Sequence, residues 1–196
     1  MSVFQRIKTY FADVPAGFVR KDLYHNISDI PPCAVFCCRS KSAIGYVIRR
    51  VTKSWTNHIA VYVGSGRQAL IEALPDGMVE TRVSSKFNNK EQFLVYINST
   101  ITVAQMQIIK SYLYGTLGKK YGWLEIVRFL GGIFKKIPTD TSRNFCSENA
   151  VEAYRQADVK LSQKMPKDTS PADVEEYLLS LEGRKAGWRL FDTYNT

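Results

Sequence analysis

One stretch constrains the fold more than any other: Asn57-His58-Ile59-Ala60-Val61-Tyr62-Val63, then Gly64-Ser65-Gly66, then Gln68-Ala69-Leu70-Ile71-Glu72-Ala73. Two apolar, β-prone runs around a glycine turn read as a β-hairpin. Side chains alternate along a strand. Ile59, Val61 and Val63 therefore form an apolar row that must pack on a core, while His58, Ala60 and Tyr62 lie on the opposite face. If 64–66 is the whole loop, Val63 pairs with Arg67 and His58 falls opposite Glu72. Directly opposed residues have Cβ atoms about 4.5–5.5 Å apart. A carboxylate at that range accepts an imidazole N–H, orients the ring and stabilises its protonated form. The residues alone leave two readings open, a cross-strand pair without chemistry or half of a catalytic triad. A one-residue slip would destroy either.

Other strands are expected over 33–38, opened by Pro31-Pro32, over about 78–83 and over 93–97. A basic helix is expected over about 41–51, from Ile44, Val47, Ile48 and Val51. Thr102 reads as an N-cap before the stripe Val103, Met106, Ile109, Leu113 and Leu117, which ends near Gly118. A further helix is expected at about 122–134, then one near Asn144 and a short one carrying Asp173, Glu175 and Glu176. Strands and helices are largely segregated, so the expected class is α+β, a mostly antiparallel sheet flanked by helices. The expected division is an N-terminal extension over 1–28, one domain over 29–180 and a tail over 181–196.

Composition removes other classes. Charged residues make up 23% and Gly plus Pro number 12 and 7, which excludes wholesale disorder. The most membrane-like run, Trp123 to Phe134, is too short to span a bilayer and contains Glu125 and Arg128. Met1 to Lys8 lacks the apolar core of a secretion signal, so the expectation is a cytoplasmic protein, or one carried in a virus particle. The net charge of +9 is concentrated over 1–60 and 101–145, where 9 and 7 basic residues face 3 and 2 acidic ones. Such a field favours anionic partners, among them wall polymers and phospholipid surfaces. No nucleic-acid-binding module is recognisable, and nothing indicates an oligomeric state. Of the 4 cysteines, Cys33, Cys37 and Cys38 lie along one strand. Cys33 and Cys37 share a face about 13 Å apart, too far for one zinc, whose sulfur ligands sit at about 2.3 Å. Buried small apolar residues are expected instead, with no metal and no organic cofactor.

Cys146 differs from these three. Asn144-Phe145-Cys146-Ser147-Glu148-Asn149 reads as a helix start, where the helix dipole favours thiolate and free backbone N–H groups can stabilise an oxyanion. Trp55-Thr-Asn-His58-Ile-Ala-Val-Tyr-Val-Gly64-Ser-Gly66, with Leu70-Ile-Glu72-Ala, resembles the histidine and glutamate strands of the permuted papain-like hydrolases. These are the YiiX/YebB-like, circularly permuted branch of the NlpC/P60 superfamily. Phe145-Cys146-Ser-Glu148 resembles the family's cysteine motif, and the order His, Glu, Cys is that of the permuted branch. Asp29-Ile-Pro-Pro-Cys-Ala-Val-Phe, Lys119-Lys-Tyr121-Gly and Pro171-Ala-Asp173 resemble its flanking segments. Ala60 and Gly122 depart from the usual glycine and aspartate.

The resemblance, over roughly residues 29–175, implies a circularly permuted papain-like fold. It implies Cys146 as nucleophile, His58 as general base and later acid, Glu72 as orienter, and Tyr121 near the thiol or oxyanion. The implied function is a thiol hydrolase acting on an amide or ester through a thioester, with peptidoglycan peptides as one substrate class. The permuted branch also resembles the lecithin:retinol acyltransferase group, so a lipid hydrolase or acyltransferase is the first alternative. A non-catalytic structural or virion protein that keeps the fold is the second.

Overall fold

The computed structural model describes residues 27–64, 66–89, 91–120 and 146–194. The expected helix over 122–134, Tyr121, His25 and all but the end of the 1–28 extension lie outside these residues. Among these residues six strands form one antiparallel sheet: β1 (Ala34–Arg39), β2 (His58–Tyr62), β3 (Ala69–Leu74), β4 (Gly77–Arg82), β5 (Gln92–Asn98) and β6 (Trp188–Tyr194). Their order across the sheet is β4-β3-β2-β1-β5-β6. Among the described residues the α-helices are α1 (Ala43–Thr52), α2 (Val83–Asn88), α3 (Val103–Gly115), α4 (Cys146–Gln156), α5 (Pro171–Leu179) and α6 (Leu181–Lys185). The α+β expectation holds. No described helix is long and apolar enough to cross a membrane.

The sheet has two buried faces. Val35, Cys37, Ile59, Val61, Ile71, Leu94 and Tyr96 face the core built with α3, α4 and α5. Phe36, Cys38, Ala60, Tyr62, Leu70, Phe93 and Val95 face a second core closed by Ile27, Ile30, Val83 and Phe87. This second core buries Tyr62 beside Phe36, their ring centres 6.3 Å apart. The unbroken run Ala-Val-Phe-Cys-Cys in β1 follows from its central place, with neighbours on both edges and cover on both faces. All 4 cysteines are free and buried; Cys37 and Cys38 face opposite sides of the sheet, as strand alternation requires, while Cys33, expected on the strand, instead precedes β1 in a turn at φ +65° and faces the same core as Cys37.

Helix α3 begins as expected. Thr102 accepts a hydrogen bond from the Gln105 backbone N–H, and the Gln105 side chain accepts one from the Thr102 N–H, a reciprocal capping box. Its apolar stripe packs only in the middle: Ile109 and Leu113 are buried, while Val103 is 70% exposed.

The hairpin register differs from the expectation. Val63 N–H bonds the Ala69 carbonyl at 3.0 Å, so the loop runs over 64–68 and not 64–66. Ala60, not His58, stands opposite Glu72. Gly64 and Gln68, at φ +59° and +52°, turn the chain through the left-handed region at the two ends of the loop. A Cβ on Gly64 would also lie 2.7 Å from Pro32 Cγ, so glycine is required there twice over. The shift is two residues, an even number, so every side chain keeps its face. His58 and Glu72 become diagonal neighbours on the same side.

The C-terminal segment is not a tail on the sheet but its edge. β6 pairs with β5 from Trp188 to Tyr194. Trp188 is buried against Tyr154, ring centres 5.5 Å apart, and its indole N–H donates to the Lys160 carbonyl. A bulge leaves Phe191 without an opposite residue, which breaks the alternation by which a strand is read.

Helix α4 is tied to the sheet by Tyr154, whose hydroxyl donates to the Cys33 carbonyl at 2.5 Å, wholly buried. Tyr154→Phe leaves that carbonyl unpaired. The expected loss is about 1–3 kcal/mol, read as a lower urea midpoint with an unchanged m-value.

Candidate active site

The chain reaches His58 through a loop clamped from both sides. On one side, Asn57 mimics a strand: its Oδ1 accepts from the Ser40 N–H at 2.9 Å and its Nδ2 donates to the Ser40 carbonyl at 3.0 Å. Helix α1 closes over this pair, and a Cβ on Gly45 would fall 2.3 Å from Asn57 Nδ2. On the other side, Ser54 Oγ donates to the buried Glu175 carboxylate at 3.1 Å and accepts from the Thr56 N–H. The imidazole is thereby set at the end of β2 with 9% of the residue exposed.

The structure brings His58, Glu72 and Cys146 together. His58 Nε2 lies 2.6 Å from Glu72 Oε2. The ring's other nitrogen, Nδ1, is then the one left for Cys146, which is hydrogen-bonded to His58. Cys146 is the first residue of α4, and it is 7% exposed. That helix start is held in place by Ser147, whose hydroxyl donates to the Thr169 carbonyl at 2.7 Å.

Two residues unnoticed in the sequence complete the surroundings of Glu72. Lys86 Nζ donates to the same Oε2 at 2.6 Å, and Thr81 Oγ1 donates to Oε1. Lys86 is 4% exposed and also lies 3.3 Å from Glu91 Oε2. Thr81 was legible in principle, because alternation places it on the Glu72 face of β4. Lys86 was not, since α2 is only six residues long and shows no period.

These contacts set the charges. Burial opposes ionisation of Cys146, but the His58 charge, its hydrogen bond and the backbone N–H groups of Ile59 and Ser147 outweigh it and lower the thiol pKa. Burial likewise disfavours the imidazolium, yet Cys146 and then Glu72 push His58 up to about 9. Glu72 is disfavoured by burial, but His58 and Lys86 hold it well below the usual carboxylate range. At the other thiols burial wins: it pushes Cys33 up to about 12 against the Lys110 charge, and raises Cys37, and Cys38 against the Lys86 charge, well above a free thiol. The arrangement is a thiolate–imidazolium pair braced by a carboxylate, which can do nucleophilic chemistry at neutral pH. Between about pH 6.5 and 8.5 this pair holds one proton, as do a free thiol and a neutral imidazole together, so it adds no slope to stability there.

A cavity of about 150 Å³ opens beside His58, lined by Ser40, Ile48, Asn57, Ala73, Leu74 and Lys86.

Two outcomes test the electrostatics. At pH 6, iodoacetamide should alkylate Cys146 and spare the other three cysteines, and His58→Ala should slow that reaction about 100-fold, read by peptide mass spectrometry. Glu72→Gln removes a charge that favours imidazolium, so the His58 midpoint should fall from about 9 toward the free value of about 6.5, read by imidazole NMR.

Residues 34–176 match the family described as permuted papain-like amidase enzymes, YaeF/YiiX, C92. The crystal structure of the metalloprotein YiiX from Escherichia coli O157:H7 shares the fold, with a TM-score of 0.54 and 18% sequence identity. The alignment covers 84% of this chain and 88% of that chain. No curated protein matches the sequence.

Proposed function

The chain belongs to the permuted papain-like amidase family, YaeF/YiiX, C92, and from that premise we propose that Cys146, His58 and Glu72 are its catalytic triad. The observation that carries the reading is the unbroken contact from Cys146 through His58 to Glu72. The Cys146 thiolate attacks the amide carbon, and the oxyanion is stabilised by backbone N–H groups at the start of α4. His58 gives its proton to the leaving nitrogen as the C–N bond breaks, leaving a thioester. Neutral His58 then takes a proton from water, whose oxygen attacks the thioester carbon. The C–S bond breaks, the acid leaves and the thiolate returns. Glu72 keeps Nε2 engaged throughout, so Nδ1 always faces the reaction.

The net charge of +9 suits peptide amides carried on an anionic polymer, such as peptidoglycan. YiiX is described as a metalloprotein. Glu72 does not fit a metal ligand in this chain, because its Oε2 is already held by His58 and by the Lys86 ammonium.

Wild type and Cys146→Ala, incubated with peptidoglycan fragments and with lipid extracts, decide the substrate by mass spectrometry. The expected result is a cleaved peptide amide with wild type, reduced about 10⁴-fold or more in the variant. Release from lipid alone would assign the acyl-lipid alternative. No product from either, with uniform slow alkylation of all four cysteines, would assign a non-catalytic role.

A further inference from the structure

Lys86 takes no part in the steps above, yet it sits on the triad. Its ammonium is 2.6 Å from Glu72 Oε2, the oxygen that His58 Nε2 also reaches at 2.6 Å. Lysine buries its charge to this degree only when carboxylates compensate the lost hydration. Here two do, Glu72 and Glu91. Helix α2 delivers it: Val83 and Phe87 anchor the helix in the second core, with Phe87 against Phe93 at 5.5 Å between ring centres.

We propose that Lys86 is a positioning residue of the candidate triad: by sharing one Glu72 oxygen with His58, it fixes the carboxylate and restrains its hold on the imidazolium. The proposal rests on the triad reading. A carboxylate given wholly to His58 would keep the proton too firmly, and a good general acid must release it near the operating pH. Two cations on one oxygen stand no more than twice that hydrogen-bond distance apart, so they repel. The other groups around His58 act in the opposite sense. Glu72 on β3 and Cys146 on α4 favour imidazolium in their ionised forms, Glu91 places a second carboxylate beside Lys86, and Cys38, directly across on β1, is held neutral by burial. Lys86 offsets them. With Lys86, a buried cluster of Cys146 thiolate, imidazolium, Glu72 and Glu91 carries one excess negative charge; without it, two.

The chain has 2 histidines, so a His25→Ala background leaves His58 as the one imidazole signal. Lys86→Gln keeps a hydrogen-bond donor and removes the charge; Lys86→Met removes both; Lys86→Arg keeps the charge. In an NMR titration the His58 midpoint should rise by about one pH unit or more in the Gln and Met variants. It should return to within a few tenths of wild type in the Arg variant. In the product assay, kcat should fall in the Gln variant with KM little changed. A Gln or Met variant that folds and titrates like wild type, or lower, overturns the proposal. So does failure of both to fold, which assigns Lys86 to stability alone. The triad reading is tested separately by selective alkylation of wild-type Cys146. If that fails, the triad falls; if it holds and His58 does not move, only the role of Lys86 falls.

Discussion

A carboxylate with 2% of its residue exposed survives in a protein interior only when its oxygens are filled. Glu72 is such a group, and much of the sheet serves it. β2 brings His58, β4 brings Thr81 and α2 brings Lys86, so donors from three elements meet on one side chain of a fourth. Breaking one of these contacts exposes the others to an uncompensated charge. The carboxylate is therefore both the electrostatic centre of the site and a fixed point for the packing of β2, β3, β4 and α2.

The thiol side depends on different physics. Cys146 needs a helix start aimed at the imidazole, and α4 obtains its aim from packing. Tyr154 fixes the helix to the chain entering β1, and Ser147 fixes its first turn to the segment before α5. The β6 strand enters the same arrangement, because Trp188 packs on Tyr154. A residue near the C-terminus thus helps set the position of a thiol more than forty residues earlier. The two cores of the sheet divide the work: one seats α4 and the thiol, the other seats α2 and the lysine.

Much of this was legible because it is local. Alternation over 57–63 and 68–73 identified the strands and the faces of His58 and Glu72. The Thr102 cap identified the start of α3. The hairpin register was legible only in its parity. The glycines announced a turn, but its length depended on Val63 bonding Ala69, a contact that composition does not reveal. The error was even, so the two side chains still met. Lys86 was hidden because a lysine in a short polar run ordinarily lies on the surface. β6 was hidden because its bulge disrupts the period-two pattern.

The sequence by itself determined the α+β class, the faces of the strands and the placing of Cys146 at a helix start. These follow from periodicity and capping, which act over a few residues. Tertiary structure decided which nitrogen of His58 meets Glu72, how low the thiol titrates and what balances the buried carboxylate. Those properties depend on distances of a few ångströms between elements far apart in the chain, in an interior where water no longer screens charge.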